Sequence, residues 1–235
     1  MELWYTEEWT DNVRFSIKVD NHLFSDKSEF QQVDVFESKE FGKFLTLDGL
    51  MMVTEKDEFI YHDMIVHGPM ATNPNIKNVL VIGAGDGGTV RELTRYETIE
   101  KIDMVEIDKL VVDVCREYLP QTANKLDDPR VSLFFEDGLK FVRSVENKYD
   151  LIICDEWGYI PISLKGSELL FQVIADCYER KSLIITTNLE FGKWITIFMD
   201  KKLTSAIIDR IIHHSHLVVF SGDSYRIKNS TINSI

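Results

Sequence analysis

An unbroken apolar run emptying into a glycine-rich turn constrains this chain more than any other feature. Residues 78–83 read NVLVIG and pass directly into Gly83-Ala84-Gly85-Asp86-Gly87-Gly88, after which TVRELTRY has helical spacing. A continuous apolar run of this length is the mark of a strand buried on both faces, and such strands belong to parallel sheets covered by helices. The same alternation recurs downstream. KIDMVEID, VSLFFED and YDLIICD read as strands, with KLVVDVCREYLP, closed by Pro120, and GLKFVRSV as the helices between them. SELLFQVIADCYER, SLIITTN, KLTSAIIDRIIHH and LVVFSG continue the pattern to the end. Strand–helix alternation predicts an α/β fold, a Rossmann-like doubly wound and mostly parallel sheet.

The first part of the chain has a different period. From Val13 to about Val53 the segments FSIKV, QQVDVFES, FLTLDG and LMMVTE are short and alternating, punctuated by Asp20-Asn21, Gly42 and Asp48-Gly49. They predict hairpins of a small antiparallel sheet. EFIYHDMIVHGPM then reads as a helix stopping near Pro69. The expected organisation is an N-terminal β-hairpin domain over 1–57, a Rossmann-like nucleoside-binding half over 58–155 and an α/β tail over 156–235.

The turn satisfies GxGxxG, with Glu106 at the end of the next strand, 18 residues past Gly88. Glycines such as Gly83 and Gly85 let backbone turn sharply and approach a ligand, and a carboxylate at that strand end accepts hydrogen bonds from ribose hydroxyls. The alternative is a tight turn selected for strand–helix packing alone. Asp86 discriminates among nucleosides: a dinucleotide would set its pyrophosphate against this carboxylate, whereas a sulfonium nucleoside carries positive charge and no phosphate. Asp137-Gly138 follows the third strand, and Asp155 ends the fourth. Ligands of open α/β sheets lie outside the carboxyl ends of the strands, so Asp86, Glu106, Asp137 and Asp155 are expected around one crevice. Each alone could equally be a helix N-cap.

Charge points the same way. Residues 1–155 hold 17 Lys/Arg and 31 Asp/Glu, a balance of −14, against a balance of +1 over 156–235. Such a field disfavours nucleic acid and draws cations. No segment approaches the roughly 20 apolar residues that span a bilayer, and the acidic start MELWYTEEWTDN does not read as a signal peptide. Cys115, Cys154 and Cys177 lack metal-ligand spacing and read as reduced thiols of a cytoplasmic protein. His213-His214-Ser215-His216 reads as a helix C-terminus rather than a metal site, so no metal is expected. Trp4, Trp9 and the Phe-rich hairpins read as packing or subunit-contact surface.

EFQQVDVFES, FGKFLTLDGLMMVTEKDEFIYHDMIVH, VLVIGAGDGGTVREL, VEID, DDPRV, EDGLKFV and YDLIICD together resemble bacterial spermidine synthases, the polyamine aminopropyltransferases, over residues 1–155. The resemblance implies a class I methyltransferase-like fold and transfer of an aminopropyl group from decarboxylated S-adenosylmethionine to putrescine, giving spermidine and methylthioadenosine. It implies no cofactor beyond that co-substrate. It places Gln32, Glu106, Asp137 and Gly138 on the nucleoside, His62 and Asp86 on the polyamine, and Asp155 as the proton acceptor. A homodimer or homotetramer is implied by the N-terminal hairpins, with neither nucleic acid nor membrane as partner.

After Asp155 the expected Asp-Ser-Thr-Asp-Pro is replaced by Asp155-Glu156-Trp157-Gly158-Tyr159-Ile160-Pro161, so Gly158 stands where the family has a second aspartate. Pro161 does not fall at the family's loop proline. The tail over 151–235 is similar to the C-terminal half of helicase-loader-like ATPases that assist transposition, with Asp155-Glu156 as a Walker B pair, Asn188 as a sensor and Arg210 and Arg226 near phosphates. No GxxxxGK[ST] accompanies it, so ATP hydrolysis is not expected. The alternatives to an active transferase are a catalytically impaired nucleoside-binding hybrid and an interaction module derived from the ATPase.

Overall fold

The computed structural model describes residues 2–144, 149–157, 164–178, 180–198, 200–213 and 215–219. Six strands come first: β1 (Leu3–Thr10), β2 (Val13–Val19), β3 (Asn21–Lys27), β4 (Gln32–Ser38), β5 (Gly42–Leu47) and β6 (Leu50–Thr54). β1 and β2 form a two-stranded antiparallel sheet, and β3-β4-β5-β6 a four-stranded antiparallel one. The Asp48-Gly49 turn joins β5 to β6 with both residues at positive φ, 48° and 79°, the geometry a two-residue hairpin needs to match strand twist. β1 is an addition to the hairpins read from Val13 onward. Its Tyr5 is buried among Ile17, Val19, Phe41, Phe44 and Met51, a small core between the two sheets.

Helix α1 (Glu58–Thr72) passes through Pro69 and ends a turn later than expected. A proline so near a helix end removes one backbone bond only, and Val66 and Met70 on either side are buried. The alternating half follows as β7 (Asn78–Ile82), α2 (Gly88–Thr94), β8 (Lys101–Glu106), α3 (Lys109–Tyr118), α4 (Pro120–Ala123), β9 (Val131–Phe135), α5 (Gly138–Ser144) and β10 (Leu151–Trp157). Then come α6 (Leu164–Cys177), β11 (Ser182–Thr187), a 3-10 turn (Phe191–Lys193), α7 (Ile195–Phe198) and α8 (Lys201–His213). Pro120 opens α4 rather than simply closing α3.

β7 to β11 form one parallel sheet in the order β11-β10-β7-β8-β9. The chain winds outward from β7 through β8 and β9, then crosses back to β10 on the other side. Helices cover both faces of the sheet. One core joins Val79 and Val81 of β7 to Val33, Val35, Leu45 and Val53 of the N-terminal sheet, so the two parts share an interior. The opposite face buries Leu80, Val105, Phe141, Ile152 and Val173. These findings bear out the Rossmann-like α/β class with a small antiparallel β domain. Among the described residues no helix is long and apolar enough to cross a membrane.

Two expectations change beyond Asp155. β10 runs on to Trp157 through a bulge, with Glu156 at φ 53° and the register shifting between Cys154 and Trp157. Leu217–Val219, read as the start of a last strand, pair with no strand and are 62–68% exposed. A strand persists only where a neighbouring ladder takes its backbone groups. Gly158, Pro161, His214 and Arg226 lie outside the described residues, as do the rest of LVVFSG and the side chain of Trp9.

Candidate active site

The site lies where the strand order reverses, outside the carboxyl ends of β7, β8 and β10, as open α/β sheets require. The glycine loop builds its floor. Gly83 and Gly87 both sit at φ 87°, which side chains resist. Gly85 lies against Glu106 and Val111, where a Cβ would come within 3.0 Å of both side chains. Gly83 packs against Asp155. Gly88 is closed on its outer side by the ring of His62, leaving no room for a side chain.

Asp86 and His62 are partners. His62 Nε2 lies 3.3 Å from Asp86 Oδ1, and its Nδ1 is 2.6 Å from Glu58 Oε2. The ring is 2% exposed. Burial opposes the imidazolium, but the two carboxylates outweigh it and push the pKa up to about 10. Burial likewise opposes ionisation of Asp86, yet the His62 cation and the Gly88 N–H, donating at 2.6 Å, hold its carboxyl below the usual range. The resemblance sets both residues on the amine. The geometry puts Asp86 forward and His62 behind it, both ring nitrogens already facing carboxylates.

Asp155 stands at the β10 edge of the crevice. Its Oδ1 accepts from the hydroxyls of Tyr61 and Thr186, the latter at 2.8 Å. Burial raises its pKa, assisted by the charge of Asp86, while the two hydroxyls work against the rise. Tyr61 and Thr186 were not singled out by the sequence reading. Tyr61 is adjacent to His62 on α1 and so points about 100° away from it, leaving no spacing signal to mark it; Thr186 comes from β11, which only the strand order brings beside Asp155.

On the other side Glu106 closes β8. Burial, reinforced by the charges of Asp108 and Asp86, pushes its pKa up to about 7 even though its Oε1 accepts the Asp108 N–H at 3.0 Å. A cavity of about 230 Å³ joins Gly83, Glu106, Asp137, Gly138 and Asp155. Asp137 also performs the structural task weighed for it: Oδ1 accepts the Leu139 N–H at 2.9 Å at the start of α5. Gly138 abuts Ile82 too closely for any side chain.

Gln32 does not join this group. It opens β4 on the strand face opposite buried Val33, and its amide donates to Ser25 at 3.1 Å. The neighbour the sequence reading passed over, Gln31, reaches instead to Asp108 Oδ2 at 3.0 Å, alongside the Ser28 hydroxyl at 2.7 Å. One residue of register decides which glutamine reaches Asp108. The ATPase-like assignments in the tail have other surroundings. Arg210 stacks 4.3 Å over the Phe171 ring of α6. His213, read as a helix end, does close α8 and meets the Tyr178 hydroxyl at 2.7 Å. Asp63, His67 and Glu92 bring potential metal-ligand atoms within 4.8 Å of one another, but Glu92 is already ion-paired to Arg91 and Arg95 at 2.8 and 2.6 Å.

Comparison with known proteins converges on one family. Residues 3–55 match the sequence model of the spermidine synthase tetramerisation domain, and residues 58–207 that of the spermine/spermidine synthase domain. The chain is 90% identical over 155 residues to the polyamine aminopropyltransferase of Clostridium perfringens strain 13, covering 66% of this chain and 55% of the relative. The corresponding Clostridioides difficile enzyme is 74% identical over 179 residues, 76% of this chain and 62% of the relative. The chain thus spans little more than half the length of these curated relatives. The spermidine synthase structure from Thermotoga maritima superposes with a TM-score of 0.72 at 34% identity, over 89% of this chain and 70% of that one. A spermidine synthase in complex with the transition-state analogue AdoDATO gives 0.73 at 36%, with the same coverage. The domain match runs to residue 207, past Asp155, where the sequence reading ends the resemblance. It therefore takes in most of the tail and lends no support to a graft from a transposition-helper ATPase. By its domain matches and its fold, the chain belongs to the spermine/spermidine synthase family.

Proposed function

We propose that this protein transfers an aminopropyl group from decarboxylated S-adenosylmethionine to putrescine. The observation that carries the reading is Asp155: a half-buried carboxylate with a raised pKa, held by two hydroxyls and facing Asp86 across the glycine loop. The nucleoside would lie along the loop with its ribose on Glu106 and its base toward Asp137 and Gly138, which line the same cavity. The amine nitrogen attacks the carbon beside the sulfonium, the carbon–sulfur bond breaks onto sulfur, and methylthioadenosine leaves. The attacking nitrogen must shed a proton, and a carboxylate whose pKa is raised by burial is suited to take it. Asp86 would grip the amine, and the residues themselves call for neither metal nor covalent nucleophile. The relatives' names and the analogue in the solved complex agree with this substrate class.

The match of residues 3–55 to a tetramerisation domain supports self-association through the N-terminal strands. Three buried free cysteines support a cytoplasmic setting.

The test is direct: supply both substrates and detect spermidine and methylthioadenosine. The intact chain should release both in equal amounts, and Asp155→Asn should lower kcat by about 10²–10⁴. Absence of product from a folded chain that binds methylthioadenosine would sink the transferase reading. It would favour a second one, nucleoside binding without turnover, which the departure from the family pattern after Asp155, with Gly158 in place of a second aspartate, motivates.

A further inference from the structure

The amine-facing carboxylate is the end of a chain of alternating charges that reaches back through the fold. Arg91 of α2 grips Glu58 of α1 with two nitrogens, Nη1 to Oε1 at 2.7 Å and Nη2 to Oε2 at 3.0 Å. Glu58 Oε2 meets His62 Nδ1 at 2.6 Å, and His62 Nε2 meets Asp86 Oδ1 at 3.3 Å. Arg91 is itself anchored by Glu92 at 2.8 Å and by the Gln121 carbonyl at 2.9 Å. Glu58 is 8% exposed and His62 2%.

Stability alone is a poor reason for such a chain. Buried ions lose hydration, and apolar residues of similar volume commonly serve as well or better. What the chain does achieve is orientation. Each link has one geometry, and the last fixes Asp86 Oδ1 between His62 and the Gly88 N–H. Gly88 lacks a side chain where the His62 ring passes, so the loop itself is shaped around the ring.

We infer that Glu58 and Arg91 are positioning residues of the amine site, holding Asp86 in place through His62. This rests on the proposed aminopropyl transfer. The groups that face His62 are Glu58 on its own helix, Asp86 on the glycine loop, Arg91 on α2 acting through Glu58, Asp155 at the end of β10, and the Tyr61 ring edge-on at 5.5 Å. With Glu58 neutralised, His62 keeps one close carboxylate instead of two and gives up its proton at lower pH. Asp86 then loses its cationic partner within the working range.

Two measurements decide it. In the first, the imidazole nitrogens of His62 are followed by NMR from pH 6 to 9, assigned by their loss in His62→Asn. The wild-type ring should stay protonated throughout, and in Glu58→Gln it should deprotonate within that range. In the second, putrescine affinity is measured with methylthioadenosine bound. The ratio of variant to wild-type Kd should grow about tenfold between pH 6 and 9, the effect of roughly one unit of displaced titration, while methylthioadenosine affinity stays unchanged. Arg91→Lys, which keeps the charge but not the two-pronged grip, should give a smaller change. A wild-type His62 that deprotonates below pH 8 overturns the inference. So does a Glu58→Gln defect that is equal at all pH values or shared by methylthioadenosine. Failure of the wild-type chain to bind putrescine would count against the transferase reading, and the wild-type His62 titration would still decide the inference, as it would if Glu58→Gln did not fold.

Discussion

Glu106 carries the clearest consequence at the level of single residues. Its pKa is raised from an ordinary value of 4.5 to about 7 because its half-buried carboxyl is poorly solvated and lies near the Asp108 and Asp86 carboxylates. Unligated, the group favours folding most when protonated, below its ordinary value, and that contribution is lost as pH rises through about 7. A ribose diol reverses the preference, since two donors want an ionised acceptor. Methylthioadenosine affinity, measured by calorimetry, should therefore rise with pH and level off above about 7, falling up to tenfold per unit below it. Glu106→Gln should bind weakly and without that slope; an unchanged slope would place the titrating group elsewhere. Gly88 offers a second residue-level test. Gly88→Ala would drive a methyl into the His62 ring, and overpacking of this kind costs about 1–3 kcal/mol, readable as a lower urea midpoint with unchanged m. The positions of Glu106, Asp86 and Asp155, at strand ends and in the glycine loop, were legible because strand ends and glycine loops are local signals. The exchange of Gln31 for Gln32 was not legible, since which of two adjacent glutamines turns inward depends on where β4 begins.

At the level of elements, the glycine loop, its strand and its helix were readable from periodicity, and so was the Asp48-Gly49 hairpin. β1 was missed because LWYTEEWT mixes acids with aromatics, and its buried Tyr5 finds its core only once the second sheet packs on it. The bulge in β10 was missed because it depends on a partner: the Thr186 hydroxyl accepts the Glu156 N–H at 2.8 Å. Long-range ties of this sort also bind the N-terminal sheet to the site. Asp108 caps α3 through the Leu110 N–H at 3.0 Å, accepts from Ser28 and Gln31 beyond β3, and donates its own N–H to Glu106. Asp108→Ala removes a cap worth about 1 kcal/mol and strands two donors, each lost bond adding about 0.5–1.5 kcal/mol. A stability loss of roughly 2–4 kcal/mol is expected by chemical denaturation. Methylthioadenosine affinity measured at pH 9, where Glu106 is ionised in either protein, should fall with it, because the backbone N–H that Glu106 accepts is no longer held in place by the Asp108 side chain. A loss confined to stability would show that the hairpin layer supports the fold without supporting the site.

Across the whole molecule, strand–helix alternation foretold the parallel sheet, while the transposition-helper reading of the tail finds no support in the family match. Local divergence after Asp155 reads as foreign, but α6 and β11 pack on the shared sheet: Ile152, Cys154, Val173 and Cys177 form one buried cluster, with Leu183 and Ile185 of β11 against it. What remains global is charge. The net −13 falls almost wholly on the first 155 residues, and Asp86, Glu106, Asp137 and Asp155 sit within that part, at the crevice. A dicationic amine approaching it feels a field built from many carboxylates, each too distant to be a contact. Screening over a Debye length of about 8 Å at physiological salt erases the distant contributions and leaves the contacts. Putrescine affinity in the presence of methylthioadenosine should therefore weaken by about threefold to tenfold between 20 and 300 mM salt, the range in which the Debye length shrinks several-fold. Methylthioadenosine, which is uncharged, supplies the internal control and should bind equally at both. Equal salt sensitivity of the two ligands would mean that salt acts on the fold rather than on attraction. An affinity for putrescine indifferent to salt would confine recognition to contact carboxylates such as Asp86 and Asp155, and make the acidic surface a matter of solubility alone.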